Sequence, residues 1–360
     1  MAFPTKKPKS KALAQVKATD AAVAATAVTE ALRKKYGKGA AMVLGEGGSL
    51  AEVREVIKTG IDVVDRYALG IGGLPVGRIS EMYGPEGVGK SSFLAKCIAS
   101  AQAEGGLAIL AENETALQPE WWEKIHGVDL DRIILLEADT IEATTARLHD
   151  AISALPTKLK GPSFVAWDTL ASTPTKREID EGLSGTDRVG DRAKALSKAL
   201  RLFTRLVARR RCHFMIVNQI RDNIGIMFGD KTATPGGHAV KFHSSVRIQL
   251  LGGKAVKEKV DLVDHSEDGN EEIEADGEAG ESNLVEHAGK DITLICSKNK
   301  LSIPWRKARL RLDYREGWDN EWSTLYHAKE LGIIAGRDKD PVPLHEVYAK
   351  LGWPMPEVED

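Results

Sequence analysis

The sequence has few cysteines, and none of them are paired in a way that could share a metal. Cys97, Cys212 and Cys296 lie far apart, and no CxxC motif occurs. This number and spacing exclude a disulfide framework and a zinc ribbon. Sparse, unpaired cysteine is typical of a reducing compartment, so we expect a cytoplasmic protein.

Long apolar runs and an excess of one charge are also missing. No run approaches the roughly 18 apolar residues that cross a bilayer, so we expect no membrane partner. The 50 basic and 52 acidic residues leave a net charge of −2. That balance excludes a uniformly basic nucleic-acid-binding protein, but it allows a local basic surface.

The ends of the chain differ in composition from its middle. Residues 1–19 are rich in Lys, Pro and Ala, which predicts a disordered basic tail rather than a signal peptide. Residues 20–60 predict a helix over 20–36 and a linker. The thin apolar face of that helix fits an oligomerisation helix, and it fits equally a helix lying on its own domain. Residues 61–316 are expected to form the core of the protein. Residues 317–360 are expected to form a short C-terminal helical domain.

From about residue 60, apolar strands alternate with helical stretches. This alternation predicts an α/β fold with a central, mostly parallel, twisted sheet flanked by helices. Later strands are joined by turn-like links, so we expect the sheet to finish antiparallel. The predicted strands are 77–83, 106–112, 132–138, 163–168, 213–219, 246–252, 291–297 and 307–314, and the main predicted helices are 90–103, 142–154 and 190–210.

An acidic insertion of about residues 264–282 interrupts this pattern. Nine of the positions from 264 to 281 are Asp or Glu. Such a segment cannot build a core, so we expect an exposed loop between two strands.

The strongest local motif is a phosphate-binding loop of the form GxxxxGK[ST]. Its backbone N–H groups can surround a β-phosphate, Lys90 can reach the β- and γ-phosphates, and Ser91 can bind Mg²⁺. ATP and Mg²⁺ are therefore the expected cofactors. The candidate phosphate-binding residues are Gly84, Pro85, Glu86, Gly87, Val88, Gly89, Lys90, Ser91 and Ser92.

Carboxylates follow two predicted strands. Asp168 ends the run SFVAWD, where it can hold Mg²⁺ through water, although a strand-end Asp is common. Glu112 and Glu114 follow another strand, and one of them could activate a water molecule. Spacing alone does not choose between Glu112 and Glu114.

Five segments together resemble the RecA recombinase family. They are 34–46, 72–92, 111–119, 217–247 and 296–305, within a resemblance that covers about residues 24–316. The run from Asn218 to Arg247 is the most specific. The resemblance implies a DNA-dependent ATPase that forms a helical filament on single-stranded DNA and pairs it with homologous double-stranded DNA. It also implies single-strand-binding and loader proteins as partners.

The resemblance assigns roles around ATP. Glu114 takes the place of the general base. Glu112 and Asp168 take the places of acidic residues near Mg²⁺, and Gln219 takes the place of the glutamine that senses the γ-phosphate. Trp121 falls where the family stacks a ring on adenine, with Gln118 beside it; a core position next to Trp122 is the alternative. The implied catalytic set is Lys90, Glu114, Gln219, Lys298 and Lys300, the last two reaching ATP across a subunit interface.

The resemblance also places two DNA-binding loops, at about 176–194 and 220–237. Both segments are Gly-rich and poorly periodic, as loops are. The implied phosphate contacts are Arg188, Lys194, Arg201 and Arg221; the apolar wedges are Ile224 and Val189; the backbone-amide contacts are Gly236 and Gly237; and the subunit-interface residues are Lys241, Phe242 and Arg247.

The chain departs from the family pattern where a second DNA strand would bind. Thr293 and Ile295 stand where basic residues are expected, and the run after Arg247 is poor in arginine. These two departures predict a weaker second DNA site. Asp222 and Asn223 replace an apolar-basic pair usual in the second DNA-binding loop, which predicts weaker single-strand contacts. The abbreviated form is compatible with a phage-type member of the family.

Two other functions fit parts of the sequence. A ring-forming, helicase-type motor of the same broad fold would keep the phosphate loop, but the 34–46 and 217–247 segments disfavour it. A non-catalytic, ATP-sensing regulatory scaffold would not need Glu114, Asp168 and Gln219, all of which are present.

Overall fold

The computed structural model describes residues 20–46, 52–156, 158–182, 190–222, 232–259, 285–334 and 342–355. They fall into two compact units, Met1–Arg54 and Glu55–Asp360. In the first unit, helix α1 spans Asp20–Tyr36, and a short 3-10 turn covers Leu44–Glu46. Arg33 links the two, because its Nε donates to the carbonyl of Ala41 over 2.8 Å and its Nη2 lies 3.3 Å from Glu46.

The second unit is built on a nine-stranded sheet in the order β13-β12-β11-β10-β3-β7-β6-β4-β5. The strands from β10 to β5 in this order are parallel, whereas β10 to β13 pair antiparallel. The α/β class is confirmed, as is the antiparallel finish. The strands of this sheet are β3 Ile79–Gly84, β4 Ala108–Glu112, β5 Ile133–Leu136, β6 Ser163–Asp168, β7 Cys212–Gln219, β10 Val246–Lys259, β11 Val285–Asn299, β12 Arg306–Asp313 and β13 Gly317–Asp319.

Helices cover both faces of the sheet, and two-residue strands form two small ribbons. The helices are α2 Lys90–Ala103, α3 Pro119–His126, α4 Ile141–Ala154, α5 Lys176–Glu181, α6 Asp191–Arg209, α7 Gly237–His243, α8 Asn320–Glu330 and α9 Leu344–Leu351. A π-helical turn spans Val63–Ala68. The ribbons are β1 Val56–Ile57 with β2 Leu74–Pro75, and β8 Arg221–Asp222 with β9 Thr232–Ala233.

The sheet separates two apolar cores. The first packs α2 and the π-helical turn against one face, around Phe93 and Leu310. The second packs α4 and α6 against the other face, around Phe203 and Phe214. Because β3, β6 and β7 are covered on both faces, their residues are almost all buried, as in other parallel sheets.

The antiparallel hairpin is longer than the sequence predicts. The predicted strands end at residue 252 and begin again at residue 291, but β10 continues to Lys259 and β11 begins at Val285. Register shifts between Gly252 and Ala255 and between Val256 and Lys257 let the pairing resume. The acidic insertion lies outside the described residues. Among the described helices, none combines the length and apolarity that a bilayer crossing needs.

Candidate functional site

The phosphate loop joins the carboxyl end of β3 to the first residue of α2. Gly84 packs so closely on β10 that an added Cβ would lie 2.3 Å from the carbonyl oxygen of Leu250. Gly89 caps α2 with φ +100°, a left-handed conformation that favours glycine. The motif glycines therefore allow both the turn and the contact with β10, and they aim the amino end of α2 at the loop.

Lys90 lies over this loop. Its Nζ donates to the carbonyls of Gly84 at 3.2 Å and Pro85 at 2.6 Å. Burial lowers the pKa of Lys90, while the nearby charges of Asp168 and Glu114 act in the opposite direction. Lys290 of β11 is a second cation here, since its Nζ donates to the carbonyl of Gly87. Sequence reasoning missed Lys290, because no motif connects residues so far apart in the chain.

Ser91 and Asp168 meet next to Lys90. The Ser91 Oγ donates to Asp168 Oδ2 over 2.9 Å, and the buried Asp168 Oδ1 has no hydrogen-bond partner among the described residues. A hydroxyl beside an unsatisfied carboxylate oxygen fits Mg²⁺, which protein sites bind through few side chains, with phosphates and water completing the shell. No group of three His, Cys, Asp or Glu side chains within the described ranges could hold a metal by itself.

The Asp168 carboxyl should make nucleotide binding depend on pH. Burial raises its pKa to about 6, and the charges of Glu114 and Glu112 add to this shift. If Asp168 holds Mg²⁺ as its ionised carboxylate, the affinity for Mg-ATP should fall by about tenfold for each pH unit below about 6. Titration of a fluorescent ATP analogue from pH 5 to 8 measures this. Asp168→Asn should bind weakly at every pH, and a wild-type affinity that stayed constant would contradict the role of Asp168.

The structure separates the two glutamates that the spacing left equivalent. Glu112 accepts hydrogen bonds from the backbone N–H groups of Glu114 at 2.8 Å and Ala116 at 3.3 Å, so it holds the turn after β4. Glu114 Oε1 accepts from Gln219 Nε2 at 2.8 Å and from Thr169 Oγ1 at 2.9 Å. Glu114, Glu112, Asp168 and Ser91 line one small pocket. Glu114 thus has the partners that orient a general base.

Known proteins of similar sequence show which family the chain belongs to. The sequence model of the RecA N-terminal domain matches residues 23–268. Protein RecA of Francisella tularensis subsp. novicida (strain U112) is 34% identical over 303 residues, which are 84% of this chain and 75% of the relative. Protein RecA of F. tularensis subsp. holarctica (strain LVS) matches to the same extent. The chain belongs to the RecA family. Membership supports a role in DNA recombination and repair, with binding of ATP and DNA.

The side chains expected beside adenine in this RecA-family protein lie in helix α3 and just before it. Trp122 is buried in the first core, whereas Trp121 is only half-buried at its edge. Gln118 precedes α3 and is exposed. His126 packs edge-on against Trp121, with ring centroids 4.7 Å apart, and its Nε2 lies 2.9 Å from Ser92 Oγ. The Ser92 hydroxyl is therefore engaged by His126, which sequence reasoning missed.

Lys298 and Lys300 form a separate cluster at the end of α7 with two of the residues expected at a subunit interface, Lys241 and Phe242. Lys298 Nζ donates to the carbonyl of Lys241, and Lys300 Nζ donates to that of Phe242 over 3.4 Å. The Phe242 ring is 73% exposed. Burial lowers the pKa of Lys298, and the charge of Lys300 adds to this effect. None of these residues lines the pocket of Glu114 in the same chain.

Arg247 does not share the exposure of this cluster. Its Nε lies 2.5 Å from Glu81 Oε2, and its side chain is only 12% exposed. The guanidinium also lies 4.4 Å from the centre of the Tyr83 ring. The guanidinium of Arg247 is thus engaged within the sheet of its own chain, and its expected part in communication between subunits stays a prediction.

The first expected DNA loop is shorter than the sequence suggested. Residues 176–181 form α5, which a capping box between Thr175 and Glu178 starts, and α6 begins at Asp191. Lys194 and Arg201 lie exposed on α6. Arg188 and Val189 lie outside the described residues.

The second expected DNA loop ends close to the end of the first. Gly236 and Gly237 start α7 with φ values of +92° and +60°. A Cβ on Gly237 would lie 3.8 Å from Ala193 Cβ, so α7 begins against the first turn of α6. Arg221 is part of β8, Ile224 lies outside the described residues, and the side chain of Arg221 is not described. The described ends of the two expected loops are therefore neighbours.

Proposed function

We propose that the chain is an ATP-dependent recombinase that forms a helical filament on single-stranded DNA and pairs it with homologous double-stranded DNA. Hydrolysis of Mg-ATP would be stimulated by the single strand. The observation that carries the proposal is the link between Gln219 and Glu114. It connects the nucleotide pocket to the segment at 220–237 that would hold DNA.

This link works through adjacent residues at the end of β7. Gln219 donates to Glu114, while the preceding Asn218 donates from Nδ2 to the carbonyl of Pro235 over 2.9 Å. A γ-phosphate that attracted the Gln219 amide would shift the end of β7, and with it both ends of the second DNA loop. By linkage, DNA held in that loop would change the affinity for ATP by the same factor.

The pocket residues divide the chemistry of hydrolysis. Lys90 would leave the carbonyls of its loop to neutralise the β- and γ-phosphates, and Glu114 would accept the proton of the attacking water. Ser91 and Asp168 would hold Mg²⁺, which supplies charge neutralisation at the phosphates. Lys298 and Lys300 would reach ATP of a neighbouring subunit, with Phe242 at that interface and α1 docking on the neighbour. Such a head-to-tail contact gives a filament if it does not close.

The test is ATP hydrolysis with and without single-stranded DNA, combined with electron microscopy. We expect DNA to stimulate hydrolysis, Lys90→Ala to abolish it, and filaments to form with ATP. The matched variant Lys158→Ala, at an exposed lysine in the loop before β6, should behave as wild type. Hydrolysis indifferent to DNA, together with closed rings, would favour the helicase-type motor instead. Absence of hydrolysis would favour the regulatory scaffold.

His126 should affect nucleotide affinity more than turnover. Its ring supports Trp121, the residue assigned to adenine, and aromatic pairs of this kind contribute about 0.5–1.5 kcal/mol. His126→Ala should therefore raise KM for ATP by about two- to tenfold and leave kcat within about twofold. The exposed His149 of α4 provides the control His149→Ala. A fall in kcat at unchanged KM would show that His126 does not act through Trp121.

A further inference from the structure

The face of β12 that turns away from the first core carries a row of cations. Ala308, Leu310 and Leu312 are buried in that core, while Lys307, Arg309 and Arg311 alternate with them on the opposite face. Successive members of such a row stand about 6.8 Å apart along a strand. The row therefore presents positive charge at regular intervals along about half of the strand. We call these three residues the β12 cationic row.

The register of the sheet sets this row directly beside two positions that lack charge. Lys307 pairs with Ile295 of β11, and Arg309 pairs with Thr293. Opposite residues of an antiparallel pair project from the same face. The cations that the family pattern led us to expect on β11 therefore stand one strand away, on the same face of the sheet.

Arg309 extends this charge across the neighbouring strands. Its Nη1 donates to Thr293 Oγ1 over 2.8 Å. The same Nη1 lies 3.5 Å from the point that a Cβ on Gly253 of β10 would occupy. Because Thr293 is small and Gly253 has no side chain, the guanidinium can lie over the backbones of β11 and β10.

Two aromatic rings of α8 border the row. Arg311 lies 3.9 Å from the centre of the Trp322 ring and also pairs with Asp291 at 3.0 Å. Tyr326 stacks on Trp322 with centroids 4.9 Å apart, and Arg309 lies 6.0 Å from its ring. These contacts hold the two guanidinium groups in place, which reduces the entropy that they would lose on binding an anion.

We propose that the β12 cationic row binds the phosphate backbone of double-stranded DNA and thereby replaces the charge missing at Thr293 and Ile295. The proposal rests on the proposed function, since it names where the second DNA molecule would lie. A duplex is favoured over a single strand because single-strand sites use rings that stack on unpaired bases. Here Trp322 and Tyr326 are already engaged with each other and with arginines.

The test removes two cations and measures duplex binding directly. Anisotropy of a fluorescein-labelled DNA duplex is followed across a series of NaCl concentrations, with a non-hydrolysable ATP analogue present. For Lys307→Gln/Arg309→Gln, the slope of log affinity against log salt should be smaller by about two than for wild type. The matched control Lys158→Gln/Lys160→Gln removes the same charge in the loop before β6 and should keep the wild-type slope. The midpoints of urea denaturation show whether each variant is folded. The single variant Lys307→Gln, which changes an exposed side chain, should lower the slope by about one.

Three other outcomes would contradict the role of the β12 cationic row or distinguish it from the proposed function. An unchanged slope in the double variant overturns the β12 cationic row as a duplex site. An equal loss of binding to labelled poly(dT) overturns its assignment to duplex DNA. The same preparations are assayed for ATP hydrolysis with single-stranded DNA. If DNA fails to stimulate wild-type hydrolysis while the duplex slope still falls, the proposed function fails and the binding surface stands.

Discussion

Replacing Glu114 with glutamine is expected to lower kcat for ATP hydrolysis by about 10²- to 10⁴-fold, the range that a positioned general base contributes. Glutamine keeps the length of the side chain and can still accept hydrogen bonds from Gln219 and Thr169. It cannot take a proton from water. Binding of ATP should therefore persist, and filaments on single-stranded DNA should form and fail to turn over. Steady-state hydrolysis and a filter-binding assay with labelled ATP measure the two effects separately.

Two matched variants sharpen this prediction. Glu112→Gln changes the neighbouring carboxylate but keeps an acceptor for the backbone N–H groups of Glu114 and Ala116, so its effect on kcat should be much smaller. Glu120→Gln, at an exposed position in the first turn of α3, should leave hydrolysis unchanged. If Glu112→Gln were the more damaging change, the roles assigned to the two glutamates would be reversed.

The elements that sequence reasoning recovers are those with local signals. Eight consecutive residues define the phosphate loop, and the helix from Asp20 to Tyr36 is followed directly by Gly37. The parallel sheet follows from continuous apolar runs between helical segments. These features depend on residues close in sequence, and the structure shows each of them.

Contacts between distant strands were not predictable in the same way. Lys290 reaches the carbonyl of Gly87 from a strand about 200 residues further along the chain. Thr169 reaches Glu114 only because β4 and β6 are neighbours in the sheet. The relation of Arg309 to Thr293 depends on the register of β11 and β12. The spacing of residues within one segment does not specify the register between two strands that are distant in the sequence.

Helix boundaries near the expected DNA loops show another limit. The segment 176–194 as a whole is Gly-rich and poorly periodic, so the sequence predicts a loop there and no helix at 176–181. Thr175 and Glu178 nevertheless form a capping box that satisfies backbone N–H groups of its first turn. The helix is also held by ion pairs of Arg177 with Glu181 and Asp191. A cap and ion pairs can therefore stabilise a short helix where hydrophobic periodicity gives no signal.

Arg247→Ala should be the most destabilising single change predicted here, lowering the free energy of unfolding by about 3–5 kcal/mol. The Glu81 side chain is fully buried, and Arg247 supplies its countercharge. Asn218 also donates to Glu81, from Nδ2 over 3.2 Å, so the network joins β3, β7 and β10. Removing the guanidinium leaves the buried Glu81 carboxylate without its countercharge. Urea denaturation followed by circular dichroism measures the loss.

The exposed pair between Arg315 and Glu286 is the matched comparison. Its two atoms are 3.0 Å apart, but the side chains are 64% and 51% exposed. Arg315→Ala should therefore cost less than about 1 kcal/mol. In the double variant Glu81→Met/Arg247→Met both charges are gone, so much of the stability lost in Arg247→Ala should return. If Arg247→Ala and Arg315→Ala lowered the free energy of unfolding by equally small amounts, burial of Glu81 would not explain how the ion pair between Glu81 and Arg247 contributes to stability. Because Asn218 precedes Gln219, a damaged network should also weaken the stimulation of hydrolysis by DNA that we propose, even in the fraction that remains folded.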